Sequence, residues 1–137
     1  MSVSQKLKFV FQLAKANAAL SRRFSSQGLG FSDVAVLVAI SQAPGEKIRR
    51  VDLASQLGLS ASGVTRLLIP LEKIGIVKRE TNARDARVSY ATLTAAGKRV
   101  LGDSLLSAEE LCEDLMPQEK PKKLEEASDI LETLAKA

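Results

Sequence analysis

Apolar positions along this chain recur mostly at helical spacing and only briefly alternate as in strands. From about Ser4 to Ser25 there are two helical stripes. Leu7, Val10, Phe11, Ala14 and Ala18 form one; Phe9, Leu13, Ala16, Leu20 and Phe24 form the other, on nearly the opposite side. A helix apolar on two sides has to be covered on two sides. It is then either the central helix of a monomer or a helix shared between its own fold and a second copy. Gln27-Gly28-Leu29-Gly30 breaks it. Ser32 is expected to cap a second helix, which carries Val34, Ala35, Leu37, Val38 and Ile40. Gln42 to Glu46, with Pro44 and Gly45, reads as a turn, and Ile48 as the start of a very short strand.

The next stretch predicts a helical hairpin. Ala54 and Leu57 share a face of a short third helix, Gly58 can end it in the left-handed region, and Ser60 suits the N-cap of a fourth. In that fourth helix Val64, Leu67, Leu68 and Leu71 fall at i, i+3, i+4 and i+7. Ala61, Ser62, Thr65 and Arg66 lie off this face. They are small and polar with one guanidinium, a surface that fits a DNA major groove. A helix pair with Gly in a tight turn is a helix-turn-helix signature, and equally an ordinary packed pair. Gly63 costs about 1 kcal/mol against Ala in a helix; it serves either close approach to a phosphate or packing against the preceding helix. Pro70 is expected to kink or loosen the helix near Ile69, because it removes an N–H and strains the preceding turn.

The period then changes to two. Ile76 to Glu80 and Val88 to Leu93 read as strands. Between them Thr81 to Arg87 is polar and carries Arg84 and Arg87. This is either a wing reaching DNA backbone or minor groove, where Arg is favoured, or a loop with two solvated charges. Arg49 and Arg50, at the entrance to the third helix, are likewise phosphate contacts or solvated charges. Thr94 is expected to cap a long fifth helix to about Met116, with Leu101, Leu105, Ala108, Cys112 and Leu115 as a heptad seam. Pro117 stops it. A last helix carries Leu124, Ala127, Leu131 and Leu134, with Ile130 alongside, and turns Glu125, Glu126, Asp129 and Glu132 to water.

The expected fold class is mainly α (α+β): a winged helix-turn-helix over 26–98 with a small β-hairpin wing, and a helical dimerisation layer from 1–25 and 99–137. The length, 137 residues, suits one compact domain or a DNA-binding unit on an oligomerisation scaffold. The formal charge of +4 becomes informative when divided. Lys47 to Arg99 holds eleven Lys and Arg against four Asp and Glu, a local +7, whereas Val100 to Ala137 holds four against ten. Basic charge therefore gathers on the winged segment, where a polyanion would dock. Aromatics make up only 4%, with no Trp, which disfavours base stacking on single strands.

The chain has no His, one Cys and no phosphate-binding glycine motif, so no enzyme activity, metal or cofactor is expected. Glu109-Glu110 and Glu113-Asp114 read as a solvated helix face rather than a carboxylate dyad. The N-terminus lacks a signal-peptide core, and no apolar run reaches the roughly 18 residues of a membrane span. With a single Cys, which cannot pair internally, a cytoplasmic setting is the simplest fit. Cys112 lies on the apolar seam, where a buried, unreactive thiol is expected; the alternative is a redox switch.

The run LASQLGLSASGVTRLLIPLEKIGIVKR, followed by RDAR and LTAAGK, resembles the multiple antibiotic resistance regulator (MarR) family of bacterial winged helix-turn-helix transcription factors. These blocks cover Leu53 to Lys98; the flanks match by layout. The resemblance implies an obligate homodimer with one winged domain per operator half-site. It also implies an Asp85–Arg87 pairing that orders the wing and directs Arg87 at the minor groove. Family members commonly bind small aromatic or phenolic effectors between the dimer layer and the winged domain. Phe24, Phe31 and Tyr90 could line such a cleft or be core, and no effector residue is assigned. The family's peroxide-sensing cysteines lie near the first helix, which Cys112 does not match.

The resulting expectation is a sequence-specific, double-stranded DNA-binding transcriptional regulator, a dimeric repressor released by a small effector. Its DNA-binding set is Arg49, Arg50, Ser60, Ala61, Ser62, Gly63, Thr65, Arg66, Arg84, Asp85 and Arg87. The alternatives are a winged-helix protein-interaction module without an operator, and a redox-sensing regulator acting through Cys112.

Overall fold

The computed structural model describes residues 1–136; the last residue of the expected C-terminal layer lies outside the described residues. Six helices surround a small antiparallel sheet. Helix α1 spans Gln5–Arg23, with the Ser4 hydroxyl accepting from the Leu7 N–H at its start. Its two stripes have different fates. Phe9, Leu13 and Leu20 are half-buried, and Phe24, just beyond the helix, is buried edge-on to Phe31 at 5.6 Å. Leu7, Val10, Phe11, Ala14 and Ala18 are exposed.

A tight turn with Gln27 and Gly28 at positive φ pairs Ser26 with Leu29 and leads into α2, Phe31–Gln42. Here the sequence expectation needs correcting. The N-cap is Gly30, not Ser32, and the Asp33 carboxylate closes the start by accepting the Gly30 N–H at 2.9 Å. Leu29 explains the shift: it is buried, so the chain turns earlier than the Ser signal suggests. Helix α2 is the centre of the core through Val34, Val36, Leu37 and Ile40.

A 3-10 turn at Pro44–Glu46 delivers β1, Lys47–Arg49, and then α3, Arg50–Leu57. Helix α4 spans Ala61–Lys73, followed by β2, Val77–Thr81, and β3, Ser89–Leu93. The strand order is β1-β3-β2, with Ile48 opposite Ala91 and Arg79 opposite Ala91 on its other side. The short strand at Ile48 thus pairs as expected. Helix α4 continues as one helix through Pro70. Leu68 and Leu71 are fully buried on either side of the proline and hold both segments to the core, while Pro70 itself is exposed.

Helix α5, Ala95–Leu115, begins on Thr94 as expected. The Thr94 hydroxyl donates to the Gly75 carbonyl at 2.6 Å and accepts the Gly97 N–H, so one side chain caps α5 and ties it to the turn after α4. Gly97 rests on the Ile76 carbonyl, and a Cβ there would collide with it. The covered face of α5 is Gly97, Leu101 and Ser104, continued by half-buried Ala108 and Leu111. The expected seam is therefore only partly packed within the chain: Leu105, Cys112 and Leu115 are exposed. Within one chain Cys112 is not a core residue, because Ser104 and Leu111 take the inward side of the turns where it was expected. Helix α6, Pro121–Ala135, buries no residue. With α1 it borders an apolar groove of about 480 Å³ lined by Phe9, Val10, Ile130 and Leu134. Among the described residues no helix is long and apolar enough to cross a membrane.

Candidate nucleic-acid interface

The turn between α3 and α4 is built as its residue types dictate. Gly58 takes φ 65°, ψ 33°, a left-handed cap that releases the chain from α3. Ser60 then accepts the Gly63 N–H at 3.1 Å, leaving the first turn of α4 open to solvent. Ser60 and Ser62 hydroxyls lie 3.1 Å apart. Gly63 is pressed against this turn, since a Cβ would meet Ser60 Oγ at 3.3 Å and Leu59 Cβ at 3.5 Å. That is close packing with the chain itself. Val64, Leu68 and Leu71 bury the inner face of α4, which leaves Ala61, Ser62 and Arg66 exposed and Thr65 half-buried on the outer one.

The hairpin between β2 and β3 is ordered by its own side chains. Asn82 Oδ1 accepts the N–H groups of Arg84 at 2.8 Å and Asp85 at 3.3 Å. Asp85 Oδ1 accepts the Arg87 backbone N–H at 3.0 Å and Arg87 Nε at 3.2 Å, and Oδ2 accepts Nη2 at 3.3 Å. This fork holds the Asp85 carboxyl below its ordinary value, chiefly through the Arg87 side chain and next through the Arg87 backbone N–H. Asn82 was not anticipated from sequence. An Asn just after a strand, at the start of a polar loop, is the signal for such a side-chain-capped turn.

The structure brings some of the basic residues together and separates others. Arg49, Arg50 and Arg87 line one notch of about 220 Å³ between the start of α3 and the wing, with Val51, Val88 and Ser89. Arg84 is elsewhere. It borders a separate groove with Glu80, Asn82, Lys47 and Tyr90. There Lys47 pairs with Glu80 at 3.7 Å and sits 4.8 Å over the Tyr90 ring. Neither groove that Tyr90 lines includes Phe24 or Phe31. Arg50 is turned inward: Nη2 donates to Thr65 Oγ1 at 2.9 Å, and Nη1 pairs with Glu72 Oε1 at 3.5 Å. Among the described residues no cluster of side chains is suited to hold a metal ion.

A half-open helical hairpin, an outward polar helix face and an arginine-tipped hairpin on one side of a small sheet define a winged helix. The MarR family model matches residues 32–89, which contain this arrangement. The chain carries a MarR-family domain over these residues. The chain is similar to an uncharacterized HTH-type transcriptional regulator, YdgJ of Bacillus subtilis, 25% identical over 114 residues that cover 82% of this chain and 68% of the relative. In structure it is similar to the PcaV transcriptional regulator of Streptomyces coelicolor, solved with its natural ligand. That likeness has a TM-score of 0.82 and 18% identity, and covers 100% of this chain and 99% of the other. It is also similar to Sco3205, a MarR family transcriptional regulator of the same organism solved in complex with DNA. Here the TM-score is 0.81 and the identity 21%, with 98% and 89% covered. At these identities the two structures show that this chain has their fold.

Proposed function

We propose that this chain is a DNA-binding transcriptional regulator that recognises a specific double-stranded sequence as a homodimer and acts as a repressor. The observation that carries the reading is the exposed face of α4, with Ser62 and Arg66 open to solvent, flanked by the notch where Arg49 and Arg87 meet. Helix α4 enters the major groove with Ala61, Ser62, Thr65 and Arg66 toward base edges. Ser60 and Gly63 shape the start of that helix. Arg49 and Arg87 meet the backbone or the narrow minor groove, with Asp85 holding Arg87 in place, and Arg84 meets DNA at the far side of the wing. The DNA complex of Sco3205 supports this docking through the shared fold.

Residues 1–25 and 99–137 form the dimer layer, and 26–98 the DNA-binding unit. Support comes from the exposed apolar groups of the layer: Phe11 at 58%, Leu106 at 67% and Ile130 at 50%. A small-molecule effector, aromatic or phenolic, releases the DNA; the ligand complex of PcaV supports an effector on this fold. The chain works in the cytoplasm, without catalytic activity and without a cofactor.

The test is selection of duplexes from genomic fragments, followed by salt titrations on a selected and a random duplex. The selected duplex should bind at least about a thousandfold more tightly, and both affinities should fall steeply with salt. Arg66→Ala should cost about 1–3 kcal/mol on the selected duplex and less on the random one. Arg87→Ala should weaken both and flatten the salt slope by about two units per dimer. Equal, salt-independent binding to every duplex would make the chain a protein-assembly module instead.

A further inference from the structure

Arg50 does not behave as the other basic residues of the interface do. Arg49, Arg66, Arg84 and Arg87 are exposed, whereas the Arg50 side chain is only 22% exposed. Its two terminal nitrogens reach two different turns of α4. Nη2 donates to Thr65 Oγ1 at 2.9 Å and Nη1 pairs with Glu72 Oε1 at 3.5 Å. Thr65 and Glu72 are seven residues apart, two helical turns on one side of α4. The guanidinium therefore fastens the first residue of α3 to both halves of the recognition helix. Glu72 offsets its charge locally, so little is left to attract a phosphate.

The consequence falls on Thr65. A threonine hydroxyl has one hydrogen to donate. That hydrogen goes to the Ala61 carbonyl at 3.1 Å, and Arg50 occupies a lone pair of the same oxygen. Held so, Thr65 cannot donate to a base edge. It retains for the groove one lone pair, open only to a base amino group, and its methyl group; the base feature that a methyl recognises is the C5-methyl of thymine. We propose that Arg50 is a positioning residue for sequence readout, committing the Thr65 hydroxyl within the protein so that Thr65 selects a thymine by methyl contact. The proposal rests on the DNA-binding reading above and names one base that it reads.

The test uses the full-length protein and a duplex selected from a random-sequence library. Each thymine of that duplex is replaced in turn by uracil, which removes only the methyl. One replacement per half-site should weaken the wild type about fourfold, or about fifteenfold for both halves, the worth of one buried methyl each. Thr65→Val keeps a methyl in place and should retain that thymine-over-uracil preference; Thr65→Ser should abolish it. Arg50→Ala should lose the preference too, and lose affinity for the selected duplex, with its salt slope unchanged. If Arg50→Ala instead keeps the preference and flattens the slope by about one unit per protomer, Arg50 is a phosphate anchor and the proposal fails. Should Arg50→Ala not fold, the two Thr65 variants decide alone: a preference kept by Ser and lost by Val means that the hydroxyl reads the base. A wild type that retains no duplex from the library overturns the DNA-binding reading, and this inference falls with it.

Discussion

At the scale of single residues, the wing shows how few groups are needed to fix a loop. Asn82 takes two backbone N–H groups and Asp85 takes one more plus the Arg87 guanidinium, so a seven-residue connection has a defined tip without any buried apolar side chain. The Asp85 carboxyl is depressed in the folded chain, so its contribution is fully present above the unfolded value near 3.8. It is lost only as pH falls through the lower folded value. The ordering should therefore be constant from about pH 5 upward, where the carboxylate is already ionised in both states. An NMR titration of the Arg87 backbone amide checks this. Its shift should move only in acid, and Asp85→Asn should give the disordered shift at every pH. A step near neutrality would mean that some other group orders the wing.

At the scale of elements, most of the winged segment was legible in the sequence because its signals are local. Gly58 at a left-handed cap, Ser60 and Thr94 at N-caps, and the i, i+3, i+4, i+7 spacing of Val64, Leu67, Leu68 and Leu71 each act within one turn. Sequence could not show that Arg84 and Arg87 border different grooves. What was not legible depends on contacts far along the chain. Ser32 carries a sound capping signal, yet burial of Leu29 moves the cap to Gly30. On α5 the apolar spacing marked Leu101, Leu105, Ala108, Cys112 and Leu115; the chain covers Leu101 but, beside it, Gly97 and Ser104 rather than Leu105 and Leu115. Small residues won there because α5 must approach the Ile76 carbonyl closely, and hydrophobicity alone does not report closeness. Gly97→Ala should accordingly destabilise the fold by about 1–3 kcal/mol through overpacking. Gly102→Ala, on the same helix with open space around it, should raise stability by about 0.5–1 kcal/mol. Thermal melts of the two variants check the pair. Equal effects of either sign would show that α5 does not seat on the turn through Gly97.

At the scale of the whole molecule, the division of apolar surface is the main fact. The winged segment buries its own core around α2, and α6 buries nothing. Phe11, Leu106, Ile130 and Leu131 remain exposed on α1, α5 and α6. Covering what remains exposed of each would contribute on the order of 1 kcal/mol, a part of the roughly 1.5–3 kcal/mol for full burial. In the proposed function the cover is a second copy, and one protomer presents only one copy of α4 to DNA. Operator binding and dimerisation should therefore fail together. Leu106→Glu places a charge at the most exposed leucine of α5 and should convert a dimeric mass by light scattering to a monomeric one. Affinity for a selected duplex should drop to that of a random one, because two half-sites are no longer read at once. Cys112 gives an internal check, since it is exposed within one chain and lies six residues further along the same helix. A thiol reagent should label it slowly in the parent and quickly in Leu106→Glu. A parent that is already monomeric at micromolar concentration, with Cys112 labelled at the same rate as in the variant, would mean that α1, α5 and α6 do not form a dimer layer. The exposed leucines would then need a different partner.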